Sequence, residues 1–216
     1  MSVEVKICGV SDAPAVQAAI QGGARYVGFV FYARSPRNVS PAQAGGLSAL
    51  LPGGVIPVAL AVDPDDALLD DIAAKARIGL FQLHGSETPE RVAEIRARTG
   101  TPVMKAIRVA AAADLAAADA YFAAADMLLF DAKPPAAMAG ALPGGNALSF
   151  DWTLLSGRRW PLPWMLSGGL DAVNVGQAIR TCGAPAVDVS SGVESAPGRK
   201  DPARILAFIE AAHAAG

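Results

Sequence analysis

Residues 3–31 read VEVKICGVSDAPAVQAAIQGGARYVGFVF. An alternating run, Val3–Ile7, comes first and Gly9 closes it. A helical stretch follows at Ala13–Gln21, then a second apolar run at Tyr26–Phe31. Strand, helix and strand in this order form a parallel pair joined by a right-handed crossover. The pattern then repeats. Further strands are expected at Ile56–Val62, Leu80–Leu83, Val103–Ile107, Met127–Phe130, Trp164–Leu166 and Ala186–Val189. Helices are expected at Pro41–Leu50, Asp65–Ala76, Pro89–Arg98, Ala111–Ala124, Asp171–Arg180 and Pro202–Ala214. After the sixth strand the Pro- and Gly-rich stretch 132–152 reads as a loop with a short helix at Trp152–Leu155.

Eight strand–helix units point to a closed, single-domain (βα)8 TIM barrel, an α/β fold spanning residues 1–216. The 216 residues leave about 27 per unit, tight for a fold that runs from about 200 residues upward. An open doubly wound sheet is the alternative, weakened because no G-x-G-x-x-G follows the first strand. The Ala-rich run 109–126 reads as a good helix former with a small packing face. No composition break marks a second domain.

Composition narrows the function classes. The formal net charge is -2, which argues against a coat for nucleic acid or an anionic membrane. An anionic ligand must then be held locally. No uncharged apolar stretch reaches the roughly 20 residues of a membrane helix. The N-terminus lacks the basic start and apolar run of a signal peptide. Two cysteines, Cys8 and Cys182, and two histidines, His84 and His213, show no metal-ligand spacing. The expectation is a cytoplasmic protein with reduced thiols and no bound metal.

Barrel enzymes work at the C-terminal ends of their strands. Polar residues cluster there: Cys8, the loop YARSPRNVS (32–40), Asp63, QLHG (82–85), Asp131, LSGG (166–169) and VDVSSG (187–192). Side chains alternate along a strand, so Lys6 and Cys8 share one face and Val5 and Ile7 the other. The outer face packs on helices, so Lys6 and Cys8 should point inward. By the same parity Asp131 goes with Leu129, His84 with Gln82, and Asp188 with Ser190. A lone Cys8 would be core filler. At an inward strand end, it becomes a candidate for chemistry. Asp131 alone would cap a loop.

The ordered motifs KICGV (6–10), SPRNVS (35–40), QLHGSE (82–87), LLFDAK (128–133), FDW (150–152), LSGGL (166–170) and VDVSSGVESAPGRKD (187–201) resemble those of the phosphoribosylanthranilate isomerases of tryptophan biosynthesis. The resemblance implies a (βα)8 barrel. It implies an Amadori rearrangement of a phosphosugar, N-(5-phosphoribosyl)anthranilate, without a cofactor. On that pattern Cys8 is the general base and Asp131 the general acid. Arg37 contacts the anthranilate carboxylate, and His84 and Asp188 line the site. Arg34, off the S-P-R motif, ranks below Arg37. The two glycine-bearing turns suit a phosphate: Ser167, Gly168 and Gly169 after strand seven, and Ser190, Ser191 and Gly192 after strand eight. The segment GVESAP (192–197) is a candidate for the short extra helix that often completes such a site. The expected assembly is a monomer or a homodimer. One departure lies before FDW, where Asn146 and Ala147 replace the family's Thr and Gly.

The two roles ask for opposite pKa shifts. Cys8 should be held partly as thiolate, with Lys6 contributing. Asp131 should be kept partly protonated by burial. Rival readings are the histidine-pathway isomerase, with Asp where Cys8 stands, and indoleglycerol-phosphate synthase, for which Lys105 and Lys133 are available. A non-catalytic phosphate-binding barrel would need neither thiol nor carboxyl.

Overall fold

The computed structural model describes residues 3–135, 144–145 and 148–216. Eight parallel strands close into a barrel: β1 (Glu4–Cys8), β2 (Tyr26–Phe31), β3 (Ile56–Ala61), β4 (Leu80–Leu83), β5 (Val103–Val109), β6 (Met127–Ala132), β7 (Trp164–Leu166) and β8 (Ala186–Val189). The seam closes where β8 pairs with β1, setting Lys6 opposite Asp188 and Ile7 opposite Val189. The helices are α1 (Ala13–Gly22), α2 (Pro41–Ser48), α3 (Asp66–Lys75), α4 (Pro89–Thr99), α5 (Val175–Cys182) and α6 (Pro202–His213). Among the described residues no helix is long and apolar enough to cross a membrane.

Local chemistry sets these boundaries. Asp12, Ser40, Asp65, Thr88 and Asp201 each accept a backbone N–H in the first turn of the following helix. Both faces of the sheet are covered, so the strands are apolar on both sides. Outward residues such as Val5, Ile7, Val27 and Phe29 pack with the helices. A separate inner cluster of Tyr26, Val58, Leu80, Met104, Ala106, Met127, Leu129, Met165 and Ala186 fills the lower barrel. Above it the inward positions turn polar.

The architecture is the expected barrel, with local differences. β1 runs on to Cys8, and β6 runs on to Ala132, so Asp131 sits within its strand. The expected helix 111–124 is instead a run of 3₁₀ turns, Ala112–Tyr121. Its buried residues Leu115 and Ala118 are three apart, the spacing that stacks side chains on a three-per-turn helix. α5 starts later than expected. Asp171 Oδ1 takes the N–H groups of Val173 and Asn174 at 2.8 and 2.9 Å, holding those residues in a turn. The short extra helix is a 3₁₀ turn at Ser191–Val193, not 192–197. The chain after it forms a small antiparallel hairpin, β9 (Glu194–Ala196) with β10 (Arg199–Lys200). Asn146 and Ala147 lie outside the described residues.

Candidate active site

The strand ends surround an open pocket. Cys8, Arg37, His84, Asp131, Ser167, Gly168, Gly169, Asp188 and Ser190 all line it. Nine of the eleven residues singled out in the sequence therefore meet at one mouth. Ser191 and Gly192 stand behind the wall. A Cβ on Gly192 would lie 2.0 Å from the Leu170 carbonyl oxygen, so that turn packs directly on the loop after β7. Val30, Leu60, Val62, Leu148, Leu170 and Val189 make much of the remaining wall apolar. The parity of β3 could have placed Leu60 and Val62 there.

Inward parity brings Lys6 and Cys8 side by side on β1. Gly28 on β2 is the register partner of Cys8. A Cβ there would stand 3.1 Å from Cys8 Sγ and 3.2 Å from Lys6 Nζ, so any larger residue would press on both side chains. Lys6 is fully buried and its Nζ donates to Asp188 Oδ1 at 2.9 Å across the barrel seam. Ser167 Oγ donates to the other Asp188 oxygen at 3.1 Å. Burial alone would lower the Lys6 ammonium, but Asp188, with help from Cys8, holds it above its ordinary value.

The thiol shifts opposite to expectation. Burial pushes Cys8 up, and Asp188 pushes the same way. Lys6 and Lys200 pull it down without reversing the balance. Lys6 does favour the thiolate, as expected, but its charge is shared with Asp188 and the site is dry.

On the opposite side of the mouth, His84 Nε2 lies 3.1 Å from Asp131 Oδ2, close but not aligned as a hydrogen bond. Asp131 Oδ1 accepts the Ala132 N–H at 2.9 Å. Gln82, fully buried beneath, brings its Nε2 to 3.3 Å from His84 Nδ1. Gly144 and Gly145 arch over this region. A Cβ on Gly144 would sit 2.8 Å from Asp131 Oδ2, and one on Gly145 2.8 Å from Arg37 Nη1.

Arg37 is buried and held as a fork by Glu194, with Nε to Oε1 at 2.7 Å and Nη2 to Oε2 at 2.9 Å. Lys200 Nζ donates to the same Oε1 at 2.8 Å and to the Ser190 carbonyl oxygen at 2.8 Å. Burial would raise the Glu194 carboxyl, but Arg37 and Lys200 overcome it and hold the group below its ordinary value. Lys200 itself is lowered by burial. Sequence reasoning missed Glu194 and Lys200. Both fall in the VESAPGRKD run, where nothing marked them as pointing back into the protein. Arg34 is exposed, which leaves Arg37 as the arginine in the pocket wall.

Ser167 spends its hydroxyl on Asp188, so its neighbours Gly168 and Gly169 are the better anion contacts in that turn. Both have positive φ, +96° and +62°. A Cβ at Gly168 would sit 2.7 Å from the Ala132 nitrogen. Lys105 does not reach the pocket. It shares the outward parity of Val103 and Ile107, and its Nζ pairs with Glu87 Oε2 at 2.7 Å. Lys133 pairs with Asp114 at the surface. The two lysines that suggested a synthase are therefore both engaged elsewhere. Cys8 and Cys182 are free thiols. Among the described residues no cluster of three His, Cys, Asp or Glu side chains could hold a metal ion.

The family model for N-(5'-phosphoribosyl)anthranilate (PRA) isomerase matches residues 5–211. A relative of that name from Paramagnetospirillum magneticum is 60% identical over 212 residues, covering 98% of both chains. Another, from Rhodospirillum centenum, is 58% identical over 214 residues, covering 99% of this chain and 100% of the relative. The crystal structure of phosphoribosyl anthranilate isomerase from Thermotoga maritima superposes with a TM-score of 0.86 at 37% identity, over 97% of this chain and 98% of that one. A structure of such an isomerase in complex with reduced 1-(o-carboxyphenylamino)-1-deoxyribulose 5-phosphate gives a TM-score of 0.82 at 35% identity, over 97% and 98% of the two chains.

Proposed function

The chain belongs to the N-(5'-phosphoribosyl)anthranilate isomerase family, and from that premise we propose that Cys8 and Asp131 are its base and acid. As a member it is an isomerase of tryptophan biosynthesis. The observation that carries the assignment is that a thiol on β1 and a carboxyl on β6 both line the one pocket that also presents Arg37 and the Gly168–Gly169 turn.

The rearrangement needs one proton given and one taken. Asp131 gives its proton to the ribose ring oxygen as the bond from that oxygen to C1′ breaks. The anthranilate nitrogen supplies the electron pair and an iminium forms at C1′. Cys8, as thiolate, removes the proton from C2′, and the electron pair neutralises the iminium to give an enolamine. The 2′-hydroxyl then loses its proton while C1′ gains one, leaving the ketose. Solvent returns a proton to Asp131 and takes one from Cys8. The iminium charge beside Cys8 supplies the stabilisation that the free site lacks, so the thiolate forms when it is needed.

The ends of the substrate are charged. Arg37, oriented by Glu194, faces the pocket with its Nη1 edge and suits the anthranilate carboxylate. The Gly168–Gly169 turn takes the phosphate through backbone N–H groups, with Ser190 across from it on the pocket wall and Lys200 bonded to Ser190 behind. His84 and Asp188 act on the acid and on the Lys6–Cys8 pair. Proton transfers alone complete the reaction, so it calls for no redox cofactor. The free thiols fit a cytoplasmic setting.

The test is turnover of freshly prepared phosphoribosylanthranilate, followed by loss of its fluorescence. Cys8→Ser and Asp131→Asn should each lower kcat by about 10²–10⁴ while still binding the reduced product analogue. Decay no faster than the spontaneous background with the wild-type protein refutes the reading.

A further inference from the structure

Gln82 is wholly buried, sits one inward step below His84 on β4, and is absent from the pocket wall. A primary amide sealed beneath a pocket needs a partner. It has one on one side: its Nε2 is 3.3 Å from His84 Nδ1. Its Oε1 has none among the described residues, and neither does His84 Nε2, which faces Asp131 Oδ2 at 3.1 Å.

These contacts select a tautomer. With the NH2 group toward the ring, one carbonyl oxygen is left without a donor. With the amide turned over, Nδ1 would carry the hydrogen and Nε2 would set a bare lone pair 3.1 Å from the Asp131 Oδ2 oxygen, which costs more. The NH2 group therefore faces the ring, and Nδ1 must accept. A neutral imidazole whose Nδ1 accepts carries its hydrogen on Nε2. That N–H stands beside the Asp131 carboxyl group, with Nε2 3.1 Å from Oδ2 but out of hydrogen-bond alignment in the free site.

We propose that Gln82 is a positioning residue that fixes His84 as the Nε2–H tautomer and, through that N–H, holds the Asp131 carboxyl group in its working orientation. The kinetic consequence rests on Asp131 being the acid; the tautomer does not.

The chain has two histidines, and His213 is exposed, so histidine ring ¹⁵N spectra recorded on a His213→Asn background report His84 alone. With Gln82 intact they should show a protonated Nε2 and an unprotonated Nδ1. Gln82→Leu should average the two ring signals towards a tautomer mixture. Gln82→Glu, with only acceptors to offer when ionised, should move the hydrogen to Nδ1. In the Leu variant kcat should fall by about tenfold or more with KM within about twofold, the pattern of a group that acts in the transition state. An Nδ1–H ring with Gln82 intact overturns the proposal, and needs no variant at that position. So does a Leu variant with unchanged ring signals or unchanged kcat. Loss of turnover in Asp131→Asn beside a wrong tautomer would sink Gln82 and leave the acid standing. The expected tautomer beside an active Asp131→Asn would do the reverse.

Discussion

Replacing Asp188 with Asn tests the electrostatics of the Cys8 side of the pocket. The substitution keeps the shape of the side chain and deletes its charge. Asp188 Oδ1 stands 2.9 Å from Lys6 Nζ, and their side chains are 5% and 0% exposed. Two unit charges at that separation attract by about 6 kcal/mol at an effective dielectric of about 20. Burying each ion costs several kcal/mol, so the intact pair contributes little net stability. The variant still buries the ammonium but has lost its partner, and that loss costs about 3–5 kcal/mol. At about 2–4 °C per kcal/mol for a chain of this size, the melting midpoint should drop by about 6–20 °C. The thiol gives a sharper readout. Asp188 opposes ionisation of Cys8 and Lys6 favours it. Deleting the Asp188 charge removes the opposition and leaves Lys6 with Cys8 as its remaining anionic neighbour. The Cys8 thiol should then ionise at lower pH, although the protein is less stable. Ultraviolet titration of the thiolate measures this, taking each protein minus its Cys8→Ser counterpart to cancel Cys182. Lys6→Met should move the titration upward. A midpoint in Asp188→Asn that stays put or rises refutes the ordering of charges around Cys8.

Because burial holds the Cys8 thiol above its ordinary value of 9.0, kcat/KM should climb by about tenfold per pH unit between about pH 6 and 8 while the base form is scarce; a plateau already present at neutral pH would rule out this thiol as the limiting base. Glu194→Gln leaves Arg37 and Lys200 buried with a neutral partner, so urea denaturation should show a loss of about 3–5 kcal/mol and KM should rise with Arg37 no longer held; a loss below about 1 kcal/mol would mean that the fork is solvated after all. Tyr26 is pushed from 10.0 up to about 12 by burial and by its hydrogen bond to Glu4. A raised folded value means its stability contribution is full below about pH 10 and is lost as pH rises through about 12; the ultraviolet absorbance step near pH 12 should therefore vanish from the curve in Tyr26→Phe.

Much of the site was legible because a barrel strand has one simple rule. Alternation assigns each side chain to the core or to the helices, and strand order assigns each strand end to the mouth. Lys6, Cys8, Gln82, His84, Asp131 and Asp188 all follow from it. Where several local geometries compete, the rule gives less. The Ala-rich run after β5 satisfies an α-helix by propensity, yet its buried residues three apart settle as 3₁₀ turns. The segment 192–197 reads as a candidate short helix, yet the helical turn is only Ser191–Val193 and the chain then folds back as a hairpin that returns Glu194 and Lys200 to the site.

The fold class, the strands that carry the site and the residue types at the mouth are all written along the chain. All of these depend on periodicities of two and about 3.6 residues, which are local. The tertiary structure decided which charges meet. Lys6 and Asp188 are 182 positions apart and touch only because the barrel closes β8 onto β1. Arg37 and Glu194, 157 apart, meet only because the hairpin turns back. The sign of the Cys8 shift was decided there too, since it depends on how much water is excluded and how many charges stand within a few ångströms. No pattern along the chain encodes either quantity.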